Sequence, residues 1–221
     1  MINMMQGDCM ELMAQTPDKF YELAIVDPPY GIGENGGKNR RNQSRHKKKS
    51  WDSKPPDKRY FTELLRVSKN QIIWGANYYT IFLPSSMGWV FWDKKKEKSD
   101  FSDGELAYTS FQRALKKFTY SKTGGNVKEF SNRYLHPCEK PVALYKWLIS
   151  SYAKPGDKIL DTHGGSGSIC IACHDLGFDL DWIELDEDYY KAAVERYKLH
   201  ASQAQLFDQA EINMPTQGTL L

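Results

Sequence analysis

The stretch "KILDTHGGSGSICIACHDLGFDLDWIELDEDYYKAAVERY", Lys158 to Tyr197, leaves the chain the least freedom. A short apolar run, Lys158 to Leu160, reads as a strand and breaks at Asp161 into a Gly-rich turn that runs to Ser168. A helical pattern follows, then a second strand over Leu180 to Leu185 with acidic residues at Glu184 and Asp186, then another helix. Two strands joined by a helix form a βαβ unit, which requires a parallel pair and therefore an α/β sheet covered by helices. Glycines at 164, 165 and 167 let the backbone approach a ligand closely. An acidic residue ending the next strand, roughly 20 positions on, is placed to take ribose hydroxyls. The pattern points to a nucleoside-containing cofactor. It lacks both the G-x-G-x-x-G spacing and the Gly-Lys-Ser/Thr of a P-loop, so phosphate cradling is not favoured.

A second stretch, "LAIVDPPYGI" from Leu23 to Ile32, is a branched apolar run that stops abruptly. Two prolines cannot donate to a sheet ladder, so Asp27, Pro28, Pro29 and Tyr30 form a rigid turn at the carboxyl end of a strand. In an open α/β sheet that end is where ligands bind. The Asp27 carboxylate and the Pro28 carbonyl are acceptors, and the Tyr30 ring is a flat stacking surface. A planar ligand with an amino group suits the set.

Elsewhere the chain alternates strand-like and helix-like segments. "QIIWGA" (Gln71 to Ala76) and "GWVFWD" (Gly88 to Asp93) read as strands, and "ELAYTSF" and "RALKKFTYS" as an antiparallel pair at a sheet edge. "PVALYKWLISSYAKPGD", Pro141 to Asp157, reads as a helix that opens at a proline and stops at Pro155-Gly156.

Composition sets outer bounds. With 221 residues, 40% of them hydrophobic, and six tryptophans, the chain has material for one substantial core. No apolar run approaches the ~20 residues that cross a bilayer, and "MINMMQGDCMELM" lacks a signal-peptide layout, so a cytoplasmic protein without membrane association is expected. The four cysteines are too scattered for a disulfide framework. Cys170 and Cys173 have the spacing of half a zinc site with no second half, so they are assigned to the core and no metal is assigned. The net charge of +2 hides a cationic block between residues 34 and 59, containing Lys38, Arg40, Arg41, Arg45, Lys47, Lys48 and Lys49. Such a block is solvated, expected to be mobile, and suited to a polyanion, and it follows directly on the Asp27 to Tyr30 turn.

With these pieces in place the chain resembles the S-adenosylmethionine-dependent amino-methyltransferases of DNA. Their Asp-Pro-Pro-Tyr catalytic motif is matched by "DPPY" at Asp27 to Tyr30, and their cofactor motif by "DTHGGSGS" at Asp161 to Ser168. "GDCMELM" (Gly7 to Met13) and "HPCEKP" (His136 to Pro141) match two further elements, and the catalytic motif precedes the cofactor motif as in the circularly permuted β-group. Thr162 and His163 replace the usual Pro-Phe, and Trp182 stands where a glycine is common.

The resemblance implies a doubly wound, mixed but mostly parallel seven-stranded α/β sheet of the Rossmann-like methyltransferase type, in a single domain over residues 1–221, with residues 94–133 as a small target-recognition region. It implies S-adenosyl-L-methionine as cofactor. Asp8 would meet its adenine and Glu184 would take its ribose hydroxyls. Asp161, Gly164 and Gly165 would lie beside its methionine part, with His136 and Lys140 closing that side of the pocket, and Cys9, Ser166, Gly167 and Leu185 would also line the cofactor site. Asp27 and Pro28 would accept hydrogen bonds from an exocyclic amine on a base flipped out of double-stranded DNA, and Tyr30 would stack on that base. In this family Asp at the first motif position is usual for adenine-N6 enzymes and Ser for cytosine-N4 enzymes. The expected activity is therefore N6-adenine methylation at a short site, with cytosine-N4 and RNA methylation as alternatives, by a monomer or homodimer.

Overall fold

The computed structural model describes residues 1–33, 52–95, 102–121 and 139–212, with side chains of the last helix described as far as residue 203. In chain order the elements are β1 (Ile2–Gln6), α1 (Cys9–Gln15), β2 (Tyr21–Val26), α2 (Lys58–Val67), β3 (Ser68–Trp74), β4 (Trp89–Asp93), β5 (Gly104–Thr109), β6 (Lys116–Thr119), α3 (Val142–Tyr152), β7 (Lys158–Asp161), α4 (Ser168–Leu176), β8 (Asp179–Glu184) and α5 (Glu187–Ile212). Two short 3₁₀ turns, Ala76–Tyr78 and Thr80–Phe82, separate β3 from β4.

The strands form one sheet in the order β1-β8-β7-β2-β3-β5-β4-β6. All neighbours are parallel except those of β5, which runs antiparallel to both β3 and β4. The sheet is thus mixed and mostly parallel, as expected, with eight strands among the described residues where seven are expected; the four-residue β6 forms one edge. The anticipated hairpin of "ELAYTSF" with "RALKKFTYS" does not form. β5 instead inserts between β3 and β4, and β6 pairs parallel to β4. Both strands lie within the presumed recognition region 94–133, so this part of it belongs to the central sheet.

Period-two alternation buries both faces. In β2, Leu23 and Ile25 join a core shared with α3 and α4, whereas Ala24 and Val26 join a second core with Met13 of α1 and Tyr60, Phe61 and Leu64 of α2. Cys170 and Cys173 are buried in the first of these cores. At the centre, β2 and β7 are neighbours; α2 carries the chain from β2 to β3 on one side, and α4 carries it from β7 to β8 on the other. The winding reverses there, which opens a crevice at the carboxyl ends of β2 and β7. Asp27 follows the first of these strands and Asp161 ends the second. No described helix is long and apolar enough to cross a membrane.

Candidate active site

The Asp27 to Tyr30 turn is held from beneath. The buried Tyr79 hydroxyl donates to the Pro28 carbonyl at 2.9 Å and to the Pro29 carbonyl at 2.6 Å. Tyr30 donates its hydroxyl proton to Asp27 Oδ1 at 2.8 Å and lies 3.3 Å from Glu105 Oε2. Its ring rests on Gly75, which has φ +64° and where a Cβ would stand 2.1 Å from Tyr30 Cε1. Only glycine meets both demands at that position. The Tyr30 ring also stacks on the half-exposed Tyr78, with centroids 5.2 Å apart and planes 16° from parallel. Below Tyr30, the Gly31 amide donates to Asp52 Oδ1 at 2.7 Å and the Gly33 amide to the Asp52 carbonyl at 3.2 Å.

Lys140 stands on Asp27. Its ammonium, with the side chain 1% exposed, pairs with Asp27 Oδ2 and with Glu105 Oε2 at 3.1 Å. It lies 5.2 Å from the Trp74 ring centroid. Glu105 in turn meets Lys94 Nζ at 2.5 Å. Burial pushes the Asp27 carboxyl above its ordinary range and Glu105 adds to this, while Lys140 and the Tyr30 hydroxyl oppose. Burial also works against the Glu105 carboxylate, but the ammonium groups of Lys140 and Lys94 overcome it and hold its pKa down to about 2. Lys140, expected to close the cofactor side of the pocket, stands instead against the Asp27 carboxylate. Glu105, Tyr79, Lys94 and Asp52 were not singled out from the sequence, and only tertiary contact reveals them.

The Gly-rich turn lies across the crevice. Gly164 N donates to the Ile183 carbonyl at 3.0 Å and Gly165 N to Glu184 Oε2 at 2.7 Å, which straps the turn to the end of β8. Glu184 Oε1 accepts from Asp186 N at 2.8 Å. Gly167, with φ +70°, precedes the first residue of α4, and Arg196 of α5 donates to the Ser166 carbonyl and to Ser168 Oγ, each at 3.0 Å. The two departures from the usual Pro-Phe are accounted for here: Thr162 Oγ1 lies 2.7 Å from the Tyr60 hydroxyl, and the His163 ring meets Tyr60 edge-on at 5.2 Å. Burial lowers the His163 pKa to about 4, so the ring is neutral at physiological pH. Trp182, the third departure, fills the space beneath Gly164.

At the end of β1, Gly7 N bonds the Glu184 carbonyl at 3.0 Å and Asp8 caps α1 through Met10 N at 2.8 Å. Burial, aided by the nearby carboxylates of Asp8, Glu184 and Asp161, pushes the Cys9 thiol up to about 12, so it is no nucleophile. Burial likewise pushes Asp161 up to about 8, with Asp27 and Glu184 adding and Lys140 opposing. The crevice therefore brings together Asp8, Cys9, Asp27, Lys140, Asp161, the glycines and Glu184. Leu185 is 70% exposed at its rim. His136 and the cations Lys38, Arg40, Arg41, Arg45, Lys47, Lys48 and Lys49 lie outside the described residues. The donor set fits a cationic adenosyl cofactor: acidic side chains at three strand ends, a backbone turn open to close approach, and a buried carboxyl whose ionisation a positive charge would favour.

A doubly wound sheet with an Asp-Pro-Pro-Tyr turn and a Gly-rich turn facing each other at its switch point defines a Rossmann-like methyltransferase. The family model for DNA methylases of the N6/N4 type matches residues 84–195, and the chain belongs to that family of S-adenosylmethionine-dependent amino-methyltransferases. The matched span contains the Gly-rich turn and Glu184. YubD of Escherichia coli (strain K12) is 29% identical over 208 residues, covering 89% of this chain and 90% of its own length. Type II methyltransferase M.HpaI of Haemophilus parainfluenzae is 27% identical over 234 residues, covering 86% of this chain and 72% of its own. Among solved structures, the M1.HpyAVI–SAM complex matches with a TM-score of 0.58 at 17% identity, over 89% of this chain and 98% of that one. The cytosine-N4-specific PvuII DNA methyltransferase matches with a TM-score of 0.56 at 15% identity, over 91% and 92% of the two chains.

Proposed function

We propose that this enzyme transfers a methyl group from S-adenosyl-L-methionine to the exocyclic N6 of adenine in double-stranded DNA, at a short site and on a flipped base. The observation that carries the reading is the Asp27 carboxylate, ordered by Tyr30 and Lys140 at the mouth of the crevice that also holds the Gly-rich turn. Asp, and not Ser, at this position is the usual form of the motif in adenine-N6 enzymes of the family.

When bound, the cofactor supplies a methyl carbon on a positively charged sulfur. The chain's residues make the amine attack it. An amine conjugated with a purine ring is a poor nucleophile, because its lone pair is delocalised. Acceptance of its two N–H groups by the Asp27 carboxylate and the Pro28 carbonyl draws the nitrogen toward tetrahedral geometry and points the lone pair across the crevice. The Pro28 oxygen already accepts from Tyr79, and its second lone pair serves the amine. The Tyr30 ring gives the base a stacking surface that offsets part of the unstacking cost, and the base takes the face now covered by Tyr78. The nitrogen would bond to the methyl carbon as the carbon–sulfur bond breaks and leaves a neutral thioether, and the amine proton would pass to the Asp27 carboxylate that accepts its hydrogen bond. Glu184, Asp8 and Asp161 hold the nucleoside and the charged part of the cofactor.

The phosphates of the DNA are assigned to the cationic block of residues 34–59, whose Lys38 to Lys49 lie outside the described residues. The test is transfer of tritiated methyl from S-adenosylmethionine to unmethylated duplex DNA of random sequence, to RNA and to protein, followed by digestion to nucleosides. Label in N6-methyladenine from duplex DNA is the expected result. Label in N4-methylcytosine moves the assignment to cytosine, and no label in DNA overturns it.

A further inference from the structure

We propose that Lys140 and Glu105 are positioning residues for methyl transfer: Lys140, steered by Glu105, holds the Asp27 carboxylate ionised and oriented toward the target amine. The inference rests on the methyltransferase reading above and extends it to two residues that need not touch substrate or cofactor.

Lys140 is nearly sealed from water yet faces two carboxylates, and its ammonium is 5.2 Å from the Trp74 ring centroid and 5.9 Å from that of Tyr30. A buried ammonium shared between two acids has two places to go. Glu105, fixed on its other side by Lys94 at 2.5 Å, takes a second, longer contact from Lys140 at 3.1 Å, so the ammonium's hydrogens are divided between the two acids, and each Asp27 oxygen, one met by Lys140 and the other by Tyr30, keeps a further lone pair for the amine. Tyr30 connects the same two acids, at 2.8 Å to Asp27 and 3.3 Å to Glu105. The result is a balanced cluster of two acids and two ammonium groups built from the ends of β2, β4 and β5 and the lead-in to α3.

The chemistry gives this arrangement a purpose. Only the ionised carboxylate accepts a hydrogen bond from the amine on either oxygen; the protonated acid would present a donor to a group that must also donate. Burial favours the protonated form. Among the described residues, the charged and titratable groups that bear on Asp27 are Lys140, Glu105, Tyr30, Tyr79, Tyr145 and Asp161. Lys140 is the cation among these described residues, so its removal takes away the positive charge that opposes the effect of burial and Glu105 on Asp27.

The two residues therefore act on Asp27 with opposite sign, which a merely structural role would not produce. Single-turnover methylation of unmethylated random-sequence duplex DNA, with saturating S-adenosylmethionine, is measured from pH 5.5 to 9. In Lys140→Met the acid limb moves up by about one pH unit or more, with a loss of about tenfold or more near pH 7 that alkaline pH partly restores. Lys140→Arg keeps the charge and the wild-type limb. In Glu105→Gln the limb moves down. The same shifts are read without turnover from the 13C resonance of the Asp27 carboxyl in the free protein, assigned with Asp27→Asn. If Lys140→Met does not fold, Glu105→Gln and Lys140→Arg decide the matter. Unmoved limbs, or shifts in the same direction for both residues, overturn the proposal. A wild-type protein that transfers no methyl to DNA overturns the functional reading instead, and the carboxyl titration still tests the positioning.

Discussion

Gly164→Ala probes how the cofactor turn is seated. A Cβ at Gly164 would stand 1.9 Å from Trp182 Cε2 and 2.2 Å from Cζ2 and Nε1. Ordinary carbon contacts lie near 3.5–4.0 Å, so something must move by about 1.6–2 Å. Trp182 cannot yield, because it is fully buried and packs against Tyr190 at 6.2 Å. The turn must lift instead, and lifting it strains the bonds from Gly164 N to Ile183 and from Gly165 N to Glu184. Overpacking costs about 1–3 kcal/mol, and each bond lost adds about 1 kcal/mol. A middle figure of about 3 kcal/mol lowers Tm by about 6–12 °C in a domain of this size. Displacement of the turn also weakens S-adenosylmethionine binding by about tenfold or more, equivalent to about 1.4 kcal/mol, as read by titration calorimetry. Trp182→Phe in the same chain makes room and removes an indole N–H that is buried without a partner, so the double variant is less destabilised than the sum of the two single ones. Wild-type Tm and affinity in Gly164→Ala, or strict additivity in the cycle, would refute the reasoning.

Three further outcomes follow from the charges. Asp161, pushed up to about 8 by burial, is largely protonated in the free protein at neutral pH, and a bound sulfonium favours its ionised form. Affinity for S-adenosylmethionine should therefore rise with pH up to about 8 and then level off, with proton release seen by calorimetry in buffers of different ionisation enthalpy; a flat profile places the sulfonium elsewhere. The sign for folding is the reverse: between the unfolded carboxyl pKa near 4 and about 8 the native state binds the extra proton, so this group's contribution to stability falls as pH rises. Replacing Lys47, Lys48 and Lys49 with alanine should weaken DNA binding across sequences and flatten the slope of log affinity against log salt by about 0.9 per lost phosphate contact, with cofactor affinity unchanged. A wild-type salt slope rules out phosphate contact by these lysines.

Both turns of the crevice were legible in the sequence because each is a local event. An apolar run ends, proline or glycine breaks the ladder, and a carboxylate is left at a strand end, all within ten or so neighbouring residues. The strand-turn-helix-strand over residues 158–184 needs nothing from the rest of the chain to be recognised. The tertiary structure alone decided who faces whom. Alternation in "ELAYTSF" marks a strand but carries no information about its partner, and the apparent hairpin gave way to insertion of β5 between β3 and β4. That insertion places Glu105 across from Lys140 and Tyr30, which lie 35 and 75 positions away in sequence. Tyr79 under Pro28 and Asp52 under Gly31 are likewise long-range contacts, made by ordinary residues with no motif around them. Local sequence sets where backbone must turn, since dihedral and hydrogen-bond constraints act between neighbours. Which charges share a low-dielectric crevice depends on strand order, and strand order is settled by packing the whole sheet at once.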